Sequence, residues 1–154
     1  MSPQDEEKWF DKLNDRKATH LVFAIVLVDS DELIGLTSLN NISHHNGTAT
    51  TGSFIGKKDC WNKGYGTEAK MLLLEYAFNT LNLRKINSSV LAFNGRSQKY
   101  LEKCGYKEEG YRVGQLYRNG AYQDEILMAV FKDEFLPLWA KYRTKFLSVT
   151  EMEV

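Results

Sequence analysis

A polar, glycine-rich segment between a strand-like run and a long amphipathic helix constrains the fold of this chain more than any other feature. Its centre reads Trp-Asn-Lys-Gly-Tyr-Gly at residues 61–66. Glycine lets the backbone turn sharply and approach a ligand closely. The first amides of the following helix have no intrahelical partner, and the helix dipole adds partial positive charge there. With Lys57, Lys58 and Lys63 close by, the segment favours an anion such as phosphate or pyrophosphate. The pattern alone leaves open the alternative of a tight turn without a ligand.

The order of elements around this segment excludes two common phosphate-binding folds. Three strand-like runs, 21–28, 33–42 and 48–55, precede it and indicate an antiparallel meander. No Gly-Lys-Ser/Thr occurs, so the segment is not a P-loop, and the third position of a dinucleotide fingerprint is Ala69 instead of glycine. No βαβ unit begins the chain, in contrast to a Rossmann domain.

The remaining patterns complete a single domain of mixed class. After the glycines, apolar residues recur at spacings of three and four and predict one buried helix face: Ala69, Leu72, Leu73, Tyr76, Ala77 and Leu81. Asn119-Gly120 between runs 111–117 and 121–131 predicts a β-hairpin. Further elements are expected as a helix over 4–17, a strand over 85–91, a helix over 94–103 capped by Asn94, and a helix over 133–147 interrupted or kinked at Pro137. The chain therefore predicts one α/β (α+β) domain over residues 1–154.

Charge and cysteine content narrow the functional classes. Lysine plus arginine equals aspartate plus glutamate at 20 each, so the chain lacks the overall basic field on which non-specific nucleic-acid binding relies. No apolar run reaches the roughly 18 to 20 residues of a membrane-spanning helix, and the acidic N-terminus does not resemble a signal peptide. Cys60 and Cys104 show no metal-ligand spacing. We expect a cytoplasmic protein with no nucleic-acid partner, no membrane association and no metal.

Three ordered motifs resemble those of the GCN5-related N-acetyltransferase (GNAT) family. The segment Trp-Asn-Lys-Gly-Tyr-Gly-Thr-Glu-Ala at 61–69 resembles its acetyl-CoA-binding motif. Residues 94–106 resemble its Asn-x-x-Ser…Glu-Lys-x-Gly-Phe segment, and residues 109–124 resemble its Glu-Gly…Gly-x-Tyr-x-Asp hairpin. The similarity is greatest to the branch that contains ribosomal-protein N-terminal acetyltransferases and spermidine acetyltransferases.

The resemblance implies a GNAT fold, a mixed and mostly antiparallel sheet that splays apart to hold acetyl-CoA. It implies that backbone at Phe54 and Ile55 pairs with the pantetheine amides, and that an amide near Ile55 serves the oxyanion. Asn94 and Ser97 would contact or flank the cofactor arm. The pyrophosphate would bind to the backbone amides of five consecutive residues: Lys63, Gly64, Tyr65, Gly66 and Thr67.

The chain also departs from the family pattern. Leu101 stands where many relatives have a tyrosine acid, and Thr50 stands where many have a glutamate. The strand and helix that usually precede residues 3–15 are absent. We expect either a truncated chain or a sheet edge completed in another way, such as by a neighbouring subunit in a homodimer.

The implied activity is acetyl transfer from acetyl-CoA to a primary amine by direct attack. The acceptor would be a protein N-terminus or a small amine such as a polyamine. Asp124 is the predicted base or amine anchor and Tyr100 the predicted thiolate acid, with His44 and His45 as alternative bases. A non-catalytic acyl-CoA-binding or interaction module remains the alternative, because of the residues at positions 50 and 101.

Overall fold

The computed structural model describes residues 19–152, and the predicted helix over 4–17 lies outside them. Six strands form one sheet in the order β1-β2-β3-β4-β6-β5. The strands are β1 (Leu21–Val26), β2 (Leu33–Ser43), β3 (Thr48–Ile55), β4 (Lys85–Leu91), β5 (Lys107–Arg118) and β6 (Ala121–Phe131). The helices are α1 (Tyr65–Glu75), which continues as a π-helical turn (Tyr76–Thr80), α2 (Gly95–Lys103) and α3 (Lys132–Met152), and a 3-10 turn (Lys58–Cys60) precedes α1.

The predicted meander of β1, β2 and β3 is confirmed, with antiparallel pairing throughout. The first strand ends at Val26, two residues before the end of the apolar run. The amide of Leu27 instead bonds to the carbonyl of Glu32 at 2.9 Å, and Asp31 adopts a φ of 54°. The turn therefore takes the last two apolar residues out of the strand.

The sheet splits where β3 meets β4. These strands pair in parallel over only three positions, Thr48 with Lys85, Ala49 with Ile86 and Thr50 with Asn87. Every other strand pair is antiparallel. After Thr50 the β4-facing edge of β3 has no strand partner among the described residues. The sheet is thus mixed, mostly antiparallel and open at its centre, as the resemblance implies.

The buried face of α1 agrees with the predicted one in part. Leu73 and Ala77 are buried as predicted, whereas Leu72 is 51% exposed. Residues outside the predicted set, at positions 71, 74 and 78, also follow helical spacing and are fully buried. Both sets belong to the buried cluster that includes Ile86 and Met128. Leu72 lines a separate, largely apolar groove of about 510 Å³ beside β1.

Helix α2 ends at a glycine, and helix α3 continues through a proline. Gly105, at a φ of +93°, follows α2, and a Cβ atom there would lie only 3.1 Å from Cδ2 of Leu138. The predicted interruption at Pro137 is wrong, since α3 runs through it, and the alternative of a kink there stays a prediction. Phe135 is fully buried on one side of the proline, and Leu138 packs against the same core on the other, which holds both parts in one helix. None of the described helices is long and apolar enough to span a membrane.

Candidate functional site: the glycine loop and its cavity

The loop between β3 and α1 presents the start of the helix without a side-chain cap. Gly64 precedes α1 with a φ of 87° and forms no side-chain cap hydrogen bond, and Asn62 also has a positive φ of 61°. A Cβ atom at Gly64 would meet nothing within 4 Å. The free helix amides therefore face open space, which is the arrangement that binds anions.

A cavity of about 930 Å³ lies in front of this helix terminus, between the end of β3, the loop and α2. It is large enough for a nucleotide-sized ligand. Almost all of the predicted cofactor residues line it: Phe54, Ile55, Gly64, Tyr65, Gly66, Thr67, Asn94 and Ser97. On one side the cavity is bordered by β3, along the edge that has no partner strand after Thr50.

The predicted cationic residues before the loop do not reach the cavity. Lys57 forms an ion pair with Glu32, and neither Lys58 nor Lys63 is among the described residues that line the cavity. Positive charge instead comes from α2, where Arg96, Lys99 and Lys103 line it. The sequence signal that could have indicated these residues is their spacing of three and four on one helix.

Asn94 caps α2 as predicted. Its Oδ1 accepts a hydrogen bond from the amide of Ser97 at 3.2 Å, so the side chain satisfies one of the free amides of that helix. The Asn94 carbonyl also accepts the amide of Gln98 at 3.2 Å. The cap fixes the start of α2 at the edge of the cavity.

Tyr100 joins the two helices that enclose the cavity. Its hydroxyl donates to the carbonyl oxygen of Gly66 at 3.1 Å, and its ring would contact a Cβ atom placed at Gly66. Burial raises the pKa of Tyr100 well above its ordinary value, an effect that a hydrogen bond with Ser53 partly offsets. The phenol therefore stays protonated at neutral pH and keeps a proton available to donate.

Behind Tyr100 lies a buried lysine that the sequence analysis missed. The Nζ atom of Lys70 is 5.9 Å from the centroid of the Tyr100 ring, and the residue is only 1% exposed. Burial lowers the pKa of Lys70 to about 8, and burial raises the pKa of the neighbouring Cys104 thiol to about 12. Both described cysteines are free and buried.

The structure does not bring Asp124 into this cavity. Its Oδ1 accepts the amide of Gly114 at 2.8 Å, at the point where the register of β5 against β6 shifts between Arg112 and Leu116. Asp124 is not among the described residues that line the cavity. His44 and His45 lie exposed in the loop between β2 and β3. No group of three His, Cys, Asp or Glu residues within 19–152 could hold a metal ion.

Comparison with known proteins shows the family of this chain. Residues 1–107 match the model of the acetyltransferase (GNAT) domain. An uncharacterized N-acetyltransferase of Bacillus licheniformis is 32% identical over 113 residues, which cover 73% of this chain and 63% of that protein. The spermidine N(1)-acetyltransferase of Vibrio cholerae is 33% identical over 104 residues, which cover 68% of this chain and 60% of that protein. The chain thus spans about three fifths of the length of these relatives.

A solved structure shows the same fold. The crystal structure of spermidine N-acetyltransferase from Vibrio cholerae in complex with CoA and spermine superposes with a TM-score of 0.80 at 27% identity. The alignment covers 88% of this chain and 79% of that one. The family model and this structural similarity show that this chain belongs to the GNAT acetyltransferase family.

Proposed function

We propose that this protein is an N-acetyltransferase that uses acetyl-CoA to acetylate a primary amine. The observation that carries the proposal is the uncapped start of α1, with Gly64 at a φ of 87°, facing an open cavity of about 930 Å³. The family membership makes CoA the ligand that suits this site.

The residues of the cavity fit the parts of the cofactor. The free amides from 63 to 67 suit the pyrophosphate, and the unpartnered edge of β3 at Phe54 and Ile55 suits the amides of the pantetheine arm. The Ile55 carbonyl accepts the indole N–H of Trp61 at 2.8 Å. We propose that a backbone amide near Ile55 stabilises the oxyanion. Acetyl-CoA supplies a thioester whose C–S bond breaks as the C–N bond to the amine forms.

Two protons must move during this transfer, and two residues of this chain are proposed to move them. The attacking amine must be neutral and must lose a proton, for which we propose Asp124 as the base or the amine anchor. The leaving thiolate must gain a proton, for which we propose Tyr100, since its hydroxyl lies at the cavity and carries a proton at neutral pH. Because the hydroxyl donates to Gly66, it must leave that carbonyl to act as an acid.

The proposed acceptor is a primary amine, with polyamines as the first class to examine. Support comes from the relatives, one of which is a spermidine N(1)-acetyltransferase with 33% identity and one of which was solved with CoA and spermine. A peptide with a free N-terminus is the second class, in line with the branch that the motifs resemble.

The proposal is tested by measuring release of free thiol from acetyl-CoA in the presence of spermidine, spermine and a peptide with a free N-terminus. We expect release that depends on at least one amine, and none with the same amine acetylated beforehand. Tyr100→Phe should lower kcat while the Michaelis constant for acetyl-CoA changes little. Binding of CoA without amine-dependent thiol release would contradict the activity and favour a non-catalytic acyl-CoA-binding module.

A further inference from the structure

Two hydroxyl groups connect Tyr100 to neighbouring strands of the sheet. Thr37 of β2 and Ser53 of β3 lie directly opposite each other in the antiparallel pairing. The Thr37 Oγ1 and Ser53 Oγ atoms are 2.6 Å apart, in a hydrogen bond that either hydroxyl can donate. Ser53 is in turn a hydrogen-bond partner of Tyr100. The three hydroxyls therefore form a continuous chain, with Tyr100 at one end and Thr37 at the other.

This chain of hydroxyls extends from one cavity to another. Ser53 and Tyr100 line the cavity of about 930 Å³ in front of α1, whereas Thr37 lines the groove of about 510 Å³ beside β1. Ile25 and Tyr65 line both spaces and form the partition between them. The hydroxyls thus provide a path for a proton from the groove to the cavity.

The Thr37 end of the chain lies on the side of the groove, which is open to solvent. Val28 and Leu72 line the groove and are exposed. Asp29 and Ser30 add polar atoms to its lining. Thr37 itself is 5% exposed, so the part of it that water can reach is small and faces this groove.

Tyr100 needs such a path if it acts as an acid. Donation of its proton to a thiolate leaves a phenolate, and burial makes that charge unfavourable, as the raised pKa of Tyr100 indicates. The phenol must regain a proton before the next turnover. CoA bound in the cavity would separate Tyr100 from water on the cavity side, whereas the groove lies on the other side of the partition.

The other titratable groups that face Tyr100 are not bonded to its hydroxyl. The Nζ atom of Lys70 lies over the ring, 5.9 Å from its centroid. Cys104 acts on the pKa of Tyr100 only through its charge, and the Tyr106 hydroxyl is 2.8 Å from Thr51 Oγ1 instead. Among the described side chains, Ser53 is the one through which a hydrogen-bonded proton can reach Tyr100.

We propose that Thr37 and Ser53 relay a proton from water in the groove to Tyr100 after Tyr100 has protonated the leaving thiolate. This inference rests on the proposed function, because it takes Tyr100 as the acid of acetyl transfer. Thr37 and Ser53 are positioning residues, since they act through Tyr100 and do not touch the thioester.

The protons balance in this sequence. The Ser53 hydroxyl donates to the phenolate, Thr37 donates to Ser53, and a hydronium ion in the groove donates to Thr37. Each hydroxyl of the relay loses one proton and gains one. The proton taken from the groove equals the one that the attacking amine releases to solvent, so acetyl transfer as a whole consumes no proton.

The test is rapid mixing of enzyme with acetyl-CoA and amine, in which thiol release is followed through the first and later turnovers. Thr37→Val keeps the branched shape of the side chain and removes its hydroxyl. Because Tyr100 starts protonated, we expect the first turnover at about the wild-type rate and later turnovers at least about tenfold slower. Ser53→Ala should give the same pattern and serves as the second variant. Thr37→Ser keeps the hydroxyl and should restore the later turnovers.

Thr51→Val is the matched control, because it removes a buried hydroxyl of β3 that bonds to Tyr106 and not to Tyr100. Its melting temperature should fall, while its first and later turnovers keep equal rates. In a Tyr100→Phe background, Thr37→Val should cause no further loss of turnover.

Three outcomes would overturn the relay and leave the proposed activity standing. The first is equal rates of first and later turnovers in both Thr37→Val and Ser53→Ala. The second is a loss in Thr37→Ser as large as that in Thr37→Val, since packing and not the hydroxyl would then be responsible. The third is a further loss from Thr37→Val in the Tyr100→Phe background. Absence of amine-dependent thiol release by the wild-type protein would overturn the proposed function together with the relay.

Discussion

Lys70 is a basic residue among the buried apolar residues of α1. It lies on the buried face of α1 with its Nζ atom 5.9 Å from the centroid of the Tyr100 ring, and burial lowers its pKa from 10.5 to about 8. Between pH 8 and pH 10.5 the unfolded chain therefore binds more protons at this residue than the folded chain does. The free-energy cost of burying the charged lysine is fully present below pH 8. It decreases as the pH rises from 8 to 10.5.

Lys70→Met tests this cost, because methionine has a similar length and helix propensity but no charge. We expect the free energy of unfolding at pH 7 to increase by about 2 to 3 kcal/mol. The difference from wild type should be smaller at pH 9, where the lysine of the folded wild-type protein is mostly neutral. Cys104 and Tyr100 face the same lysine and are present in both proteins. Urea denaturation at the two pH values gives the result, with exposed Lys141→Met as control. A difference that is zero at both values would show that the buried charge costs nothing.

Asp124 accepts a hydrogen bond from the Gly114 amide and is also the proposed base or amine anchor. The substitution Asp124→Asn separates these two roles. Asp124→Asn keeps an oxygen that can accept the Gly114 amide but removes the charge needed by a base. We expect turnover to fall at least about tenfold, while the affinity for acetyl-CoA and the melting temperature stay close to wild type. Steady-state kinetics with a fixed amine, alongside a melting curve, provide the measurement. Unchanged turnover would limit Asp124 to its contact with Gly114 and direct attention to His44, His45 or water.

At the scale of elements, short-range chemistry predicted more than helical periodicity did. The hairpin turn at Asn119-Gly120 and the cap at Asn94 depend on neighbours within a few residues, and both predictions are confirmed. On α1 the prediction is confirmed for Leu73 and Ala77 and is wrong for Leu72. The continuity of α3 through Pro137 likewise depends on core contacts of the helix. Tertiary packing decided these two features, whereas a local turn ended β1 two residues early.

The loop before α1 gives the prediction that belongs to this scale. At Gly64 the φ of 87° lies in the region that only glycine adopts without strain, and the space beside it is open. Gly64→Val should weaken CoA binding by at least about 1 to 2 kcal/mol, because the side chain would restrict φ and enter the space in front of the helix amides. Calorimetric titration measures the loss. Gly95→Ala, also open within 4 Å but without a positive φ, is the control. Wild-type affinity in a folded Gly64→Val protein would show that the loop is only a turn.

For the whole molecule, the sheet order β1-β2-β3-β4-β6-β5 could not be derived from strand patterns, because those patterns do not state which strands are neighbours. The resemblance to a family predicted a mixed, mostly antiparallel sheet that splays apart, but not the strand order, and the glycine loop predicted the place of the ligand. The charge of the site was predicted on the wrong element: Lys57 pairs with Glu32, and the cavity takes its cations from α2. Which basic side chains of α2 face this cavity depends on how α2 packs against the rest of the fold. A cytoplasmic location and a homodimer stay predictions.

The cavity joins β3, the loop, α1 and α2, so a ligand that fills it should stabilise the folded molecule as a unit. CoA would contact groups that come together only in the native state, including Phe54 and Tyr100. At a CoA concentration of about 100 times its dissociation constant, the expected gain is about 2.7 kcal/mol. For a chain of this size that gain corresponds to an increase in melting temperature of about 5 to 10 °C. NAD and ATP at the same concentration should change the melting temperature by less than about 2 °C, because neither carries the pantetheine arm that the open edge of β3 would bind. A thermal melt followed by fluorescence, with each ligand in turn, provides the comparison. A larger shift with NAD or ATP than with CoA would show that the cavity serves another nucleotide, and the proposed activity would then be wrong.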